Sequence, residues 1–188
     1  MAQQGEIARC FVALDVDEAS VRVTERAQHL LDALDVRKTP VSEAVHLTIK
    51  FLGDVDVDAV GRPLLEAMRP LVEGYRTPSL GEGKLAAFPD AKRAHVIILM
   101  AADPMGALAA LAARADEAAE SLGIPREQRP FRPHLTLARS KHAIDVRDLV
   151  KKTPPFELGI ATRLVLYRSD RDEKGPRYTA LAQAEFAP

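Results

Sequence analysis

Five histidines occur in this 188-residue chain, and two of them sit in the same short setting: His46-Leu47-Thr48-Ile49 and His134-Leu135-Thr136-Leu137. Side chains alternate between the two faces of a strand. His46, Thr48 and Lys50 are therefore expected on one face, with Val45, Leu47, Ile49 and Phe51 on the other. His134, Thr136 and Ala138 likewise oppose Leu135 and Leu137. Each segment thus has an apolar side for packing and a polar side carrying one imidazole and one hydroxyl. His29, His95 and His142 have no such setting and read as surface, strand-edge or loop residues.

Two imidazoles and two hydroxyls converging on one small group suit the opening of a cyclic phosphodiester. That reaction needs a base to take a proton from attacking water and an acid to protonate the leaving ribose oxygen. Histidine, with an unperturbed pKa near 6.5, serves in either role at about neutral pH. Thr48 and Thr136 can donate to the non-bridging oxygens, where charge builds in the transition state. Around the second motif, Arg126, Arg129, Arg132, Arg139 and Lys141 cluster with only Glu127 opposing them. Arg132, next but one to His134, is the expected phosphate contact, because a guanidinium binds two oxygens at once. The carboxylates are scattered and none lies inside either motif, so neither a metal nor a cofactor is expected.

The elements that must position these residues follow from periodicity and punctuation. Ile7 to Val16 reads as a strand, and apolar residues at helical spacing predict a helix from about Asp17 to Leu34. The basic linker Arg37-Lys38-Thr39-Pro40 leads to a strand at Val45 to Leu52, which Gly53-Asp54 should break. A helix from Val57 to Tyr75 contains Pro63 and Pro70 and should kink or split there. Two strands follow, at Leu80 to Phe88 and Ala94 to Ala101. Asp103 is expected to cap the next helix, with Pro104 in its first position and Gly123 closing it. A second basic linker, Arg126 to Arg132, delivers the strand at His134 to Arg139. A short helix near Asp145 to Lys152 and strands at Phe156 to Ile160, Arg163 to Ser169 and Arg177 to Phe186 complete the chain. This mixture argues for an α+β or mixed α/β fold. Strand, helix, Pro-containing basic linker and His-Leu-Thr strand occur twice in order, which predicts two similar lobes facing one another in a single domain, 1–188.

Bulk properties bound the rest. The formal net charge is −1, so any grip on a polyanion must come from a local patch. The lone Cys10 excludes an internal disulfide and a cysteine zinc site, fits a reducing compartment, and reads as a buried apolar residue. No signal-peptide pattern opens the chain and no apolar run is long enough to span a bilayer, so a cytoplasmic location is expected.

The two motifs, as His46-Leu47-Thr48-Ile49-Lys50-Phe51-Leu52-Gly53 and Phe131-Arg132-Pro133-His134-Leu135-Thr136-Leu137-Ala138-Arg139, resemble the 2H phosphoesterase superfamily. Within it the chain is similar to the RNA 2′,3′-cyclic phosphodiesterases of the 2′-5′ RNA ligase-like (LigT/ThpR) type. The likeness extends to Phe11-Val12-Ala13-Leu14, Gly81-Glu82-Gly83, Phe88-Pro89, Leu166-Tyr167-Arg168-Ser169 and Gly175-Pro176-Arg177-Tyr178. It implies a bilobal α+β fold with two antiparallel sheets around a groove, and hydrolysis of cyclic RNA ends to 2′-phosphomonoesters. It also implies that His46 is the proton donor to the leaving 3′ oxygen and His134 the acceptor that activates water. RNA is then the partner, with neither membrane nor obligate protein partner. The alternatives are the reverse reaction, 2′-5′ ligation, a small-molecule cyclic nucleotide phosphodiesterase and a non-catalytic RNA-end binder. Many relatives carry an aromatic residue and a Pro-Glu-Asn-like stretch before the first motif, whereas this chain has Thr39-Pro40-Val41-Ser42-Glu43-Ala44.

Overall fold

The computed structural model describes residues 5–41, 45–74, 76–172 and 175–187. Ser42, Glu43, Ala44 and Tyr75 lie outside these residues, and with them part of the linker before the first motif and the expected end of the second helix. The strands are β1 (Ile7–Val16), β2 (Arg37–Lys38), β3 (His46–Asp56), β4 (Glu82–Phe88), β5 (Ala94–Ala101), β6 (His134–Ile144), β7 (Phe156–Glu157), β8 (Ala161–Asp172) and β9 (Gly175–Glu185). The helices are α1 (Glu18–His29), α2 (Arg62–Glu73), α3 (Ala107–Ser121) and α4 (Arg147–Lys152), with a π-type turn at Val57–Gly61 leading into α2.

The named strands form one antiparallel sheet in the order β7-β4-β5-β6-β3-β1-β8-β9, with β2 added on β6. The two expected sheets are therefore joined, and the joint is narrow: β3 and β6 pair through Leu47 and Leu135 alone. One lobe holds β4 to β7. The other holds β3, β1 and the C-terminal hairpin β8–β9, which returns to the outside of β1. The lobes are thus not simply the first and second halves of the chain. The helices cross over as well. α1, which follows β1, packs on β6, and α3, which follows β5, packs on β3. Each lobe therefore supplies the cover for the other's histidine strand, and the apolar residues beneath form one continuous core.

Local chemistry explains the ends. The Asp17 carboxylate accepts from the Ser20 N–H at 3.0 Å and makes Asp17 the N-cap of α1. That helix stops at His29 rather than Leu34, and turns carry the chain onward. Pro104 does not open α3, contrary to expectation. Asp103 takes φ 47° and Gly106 φ 67°, and the Asp103 carboxylate reaches forward to the N–H groups of Leu108 and Ala109, so the helix starts at Ala107. Gly123, at φ 84°, closes it as expected. Pro63 falls in the first turn of α2, directly after the π-type turn, and Pro70 sits inside the same helix without splitting it.

Strand bulges correct the facial alternation expected of both motifs. Along β3 the register steps from Ala13–Thr48 to Val12–Lys50, leaving Ile49 as an extra residue, and again from Phe11–Phe51 to Cys10–Gly53. Gly53, at φ 76°, therefore sits in a bulge and does not end the strand, which runs on to Asp56. Along β6 the step from Ile98–Thr136 to Ile97–Ala138 leaves Leu137 extra. An extra residue reverses which side the following side chains take. Lys50, expected beside His46 and Thr48, turns inward and is buried, and Phe51, expected in the core, is 63 % exposed on the histidine side. Ala138 likewise turns inward, and Arg139 comes to the face of His134.

Candidate active site

Leu47 and Leu135 are completely buried at the lobe joint. Because β3 and β6 run antiparallel through this pair, His46 lies toward Thr136, and Thr48 toward His134. All four line one groove of about 610 Å³, a size suited to a nucleotide-scale ligand. The spacing of the two motifs thus becomes a pseudo-twofold arrangement in space, with one imidazole and one hydroxyl from each lobe.

The two histidines have different surroundings. The His134 ring stands edge-on to Phe88 at 5.1 Å, and its cross-strand neighbour on β5 is Met100. Its Nδ1 lies 2.6 Å from the Arg132 carbonyl oxygen. A carbonyl only accepts, so Nδ1 carries the proton and a neutral ring presents the bare Nε2. Burial pushes the His134 pKa below the ordinary 6.5; the Arg132 carbonyl opposes that shift and the Arg139 charge adds to it. His46 sits in an aromatic cluster instead. Phe11 lies 4.9 Å from its ring, Tyr178 meets it edge-on at 5.1 Å, and Tyr167 is at 5.9 Å. Its cross-strand neighbour is Asp15, whose carboxylate accepts from Arg163 at 2.7 Å and from the Tyr167 hydroxyl at 2.5 Å. Burial, with that bond to Asp15, pushes the Tyr167 pKa well above its usual value and keeps the phenol protonated.

Of the five cations that the sequence groups around the second motif, only Arg139 is among the described residues lining the groove. Arg126 pairs with Glu120 and Arg129 with Glu127. Arg132 contributes its main-chain carbonyl to His134, and its exposed side chain is not among those lining the groove. Arg9, Arg37 and Arg139 line it together with Lys38, which pairs with Asp32, and no aspartate or glutamate is among the described lining residues. Phe51 and Tyr178 add exposed or partly exposed ring surface. His29 pairs with Asp32 at the surface, and His95 and His142 are exposed away from the groove. Among the described residues no cluster of three or more His, Cys, Asp or Glu is placed to hold a metal ion. Periodicity could not find Phe51 or Arg139, because a bulge moves each to the groove side. Arg37 and Tyr178 reach it only through tertiary pairing.

Two antiparallel lobes, each presenting a His-x-Thr strand to a shared groove, define the bilobal two-histidine phosphoesterase class. Residues 12–173 match the profile of the 2′-5′ RNA ligase superfamily, and the chain belongs to that family. It is 25 % identical over 183 residues to an RNA 2′,3′-cyclic phosphodiesterase of Aquifex aeolicus, covering 95 % of this chain and 97 % of that protein. An RNA 2′,3′-cyclic phosphodiesterase of Geobacillus stearothermophilus is 30 % identical over 176 residues, covering 92 % of this chain and 55 % of the longer relative. Among solved structures, E. coli LigT in its apo form superposes with a TM-score of 0.74 at 25 % identity, covering 98 % of this chain and all of LigT. No helix among the described residues is long and apolar enough to cross a membrane.

Proposed function

We propose that this chain hydrolyses RNA 2′,3′-cyclic phosphate ends to 2′-phosphomonoesters, with His134 as general base and His46 as general acid. The observation that carries the reading is the pairing of two His-x-Thr strands about Leu47 and Leu135, which gathers both imidazoles and both hydroxyls in a groove whose described lining holds cations and no carboxylate. The likeness to RNA 2′,3′-cyclic phosphodiesterases supports the same substrate class.

The surroundings of His134 support that polarity. His134, neutral and with Nδ1–H committed to the Arg132 carbonyl, offers Nε2 to a water positioned for in-line attack on phosphorus. His46, on the opposite side of the phosphate, then protonates the departing 3′ oxygen. Proton uptake by His134 and release by His46 leave the enzyme with its total charge unchanged, and solvent restores both. Thr48 and Thr136 donate to the non-bridging oxygens as the pentacoordinate charge develops, and Arg139, close enough to act on His134 electrostatically, neutralises part of it. The lone buried Cys10 fits a reducing compartment, and we place the reaction in the cytoplasm.

The test is the product formed from an RNA oligomer ending in a 2′,3′-cyclic phosphate. A 2′-phosphomonoester is expected, and His46→Ala and His134→Ala should each slow its formation by about 10²-fold or more while remaining folded. A 3′-phosphate product, or either variant at the wild-type rate, removes this mechanism.

A further inference from the structure

β2 is only two residues long, yet it is held firmly. Arg37 pairs with Arg139 and Lys38 with Ala138 on β6, and the Thr39 N–H donates to the Leu137 carbonyl at 2.8 Å. Gln28, from α1, clamps the same joint by donating to the carbonyls of Thr39 and Leu137, both at 2.8 Å. Those bonds place two arginines directly opposite one another on neighbouring strands, about 5 Å apart at Cβ. Like charges in that position repel. Neither arginine has a carboxylate partner among the described residues, although nearby Lys38, Arg126 and Arg129 are each paired with one. Arg139 lines the groove and acts electrostatically on His134, and the proposed mechanism sets it on the reacting phosphate. Arg37 is exposed, lines the same groove, and lies one strand further out.

We infer that Arg37 is a second phosphate contact, holding the phosphodiester that precedes the terminal nucleotide, so that the groove selects oligonucleotide ends over nucleoside 2′,3′-cyclic phosphates. The inference rests on the function proposed above. A polyanion relieves the repulsion between the two guanidiniums, and each takes one phosphate of a single strand. The backbone of Arg37 is already fixed by β6 and Gln28, so little ordering remains to be done when the strand binds. The same groove offers the rings of Phe51 and Tyr178 as stacking surface, the other component of single-strand recognition.

The test uses the full chain and three substrates sharing one terminal base. These are the nucleoside 2′,3′-cyclic phosphate, a dinucleotide ending in the cyclic phosphate, and the same dinucleotide with an uncharged methylphosphonate internal linkage. Wild type should favour the charged dinucleotide over the neutral one by about tenfold in kcat/KM, the effect of one charge-assisted contact. Arg37→Ala should bring that ratio close to one. Arg129→Ala, which removes a cation already paired with Glu127, should retain the preference. Equal rates of wild type on the two dinucleotides, or a preference that survives in Arg37→Ala, overturns the inference while turnover of the dinucleotides leaves the proposed function standing. If none of the three substrates is turned over, the proposed function fails and the inference fails with it.

Discussion

His46 and His134 occupy equivalent positions in their strands, and their neighbours make them unlike. Met100, Phe88 and the Arg132 carbonyl surround His134, whereas Phe11, Tyr167, Tyr178 and the strand position of Asp15 surround His46. A base must be unprotonated to act, so kcat/KM should fall as pH drops through the His134 pKa. Because burial holds that pKa down, the acidic limb should lie below pH 6.5, the value for an unburied imidazole. A pH–rate profile of the free enzyme checks this, and an acidic limb above 6.5 would reverse the assignment of base. The threonines permit a cleaner substitution. Thr→Val keeps the β-branched shape that suits a strand and removes only the hydroxyl. If Thr48 and Thr136 donate to developing charge, each Thr→Val should slow turnover by about 10- to 10³-fold, and Thr→Ser should recover much of it. Wild-type turnover in a folded Thr→Val variant would reduce that threonine to scaffold.

At the scale of the element, the bulges at Ile49 and Leu137 do the same work in both lobes. Each sends two successive residues inward and brings the next to the groove: Phe51 on β3, Arg139 on β6. The symmetry is broken where Lys50 takes the place corresponding to Ala138. Lys50 Nζ is buried against α3, 2.5 Å from the Asp116 carboxylate and 2.8 Å from the Pro125 carbonyl. Asp116 also accepts from the Glu127 N–H, so this pair ties the loop after α3 to β3. Removing one member strands the other in a poorly solvated place. Lys50→Ala should therefore lower stability by about 3–5 kcal/mol, while Lys50→Met combined with Asp116→Leu should lose much less. Urea unfolding of the two variants and the wild type measures the difference, and equal losses would mean that the ion pair is incidental to packing.

Taken whole, the molecule interlocks its two lobes although their sheets touch through one residue pair. α1 belongs by sequence to the lobe of β1 and covers β6, and α3 belongs to the lobe of β5 and covers β3. Separating the lobes would expose Leu47 and Leu135 and strip each histidine strand of its helix. Unfolding in urea should consequently be a single cooperative transition, the same by far-UV circular dichroism as by tyrosine fluorescence, whose described contributors Tyr167 and Tyr178 lie in one lobe. Two separated transitions would mean that the lobes fold independently. Charge is also arranged at this scale. A chain of net charge −1 gathers Arg9, Arg37, Lys38 and Arg139 on one groove, so its attraction for a polyanion is local.

The amino-acid sequence by itself determined the α+β class, most of the elements and the two His-x-Thr motifs, because each is written in residues close together along the chain. Strand alternation, N-caps such as Asp17 and closing glycines such as Gly123 act within a few residues, so their signals are readable without a partner. The second occurrence of strand, helix, linker and motif was legible for the same reason. Which residues complete the groove was decided only by tertiary structure. Arg37 enters through pairing with β6, Tyr178 through the return of the C-terminal hairpin beside β1, and Phe51 and Arg139 through bulges defined by a neighbouring strand's register. The proposed base belongs with these. The motifs are nearly identical, and the lowered pKa of His134 arises from burial and from groups that other parts of the backbone bring alongside it.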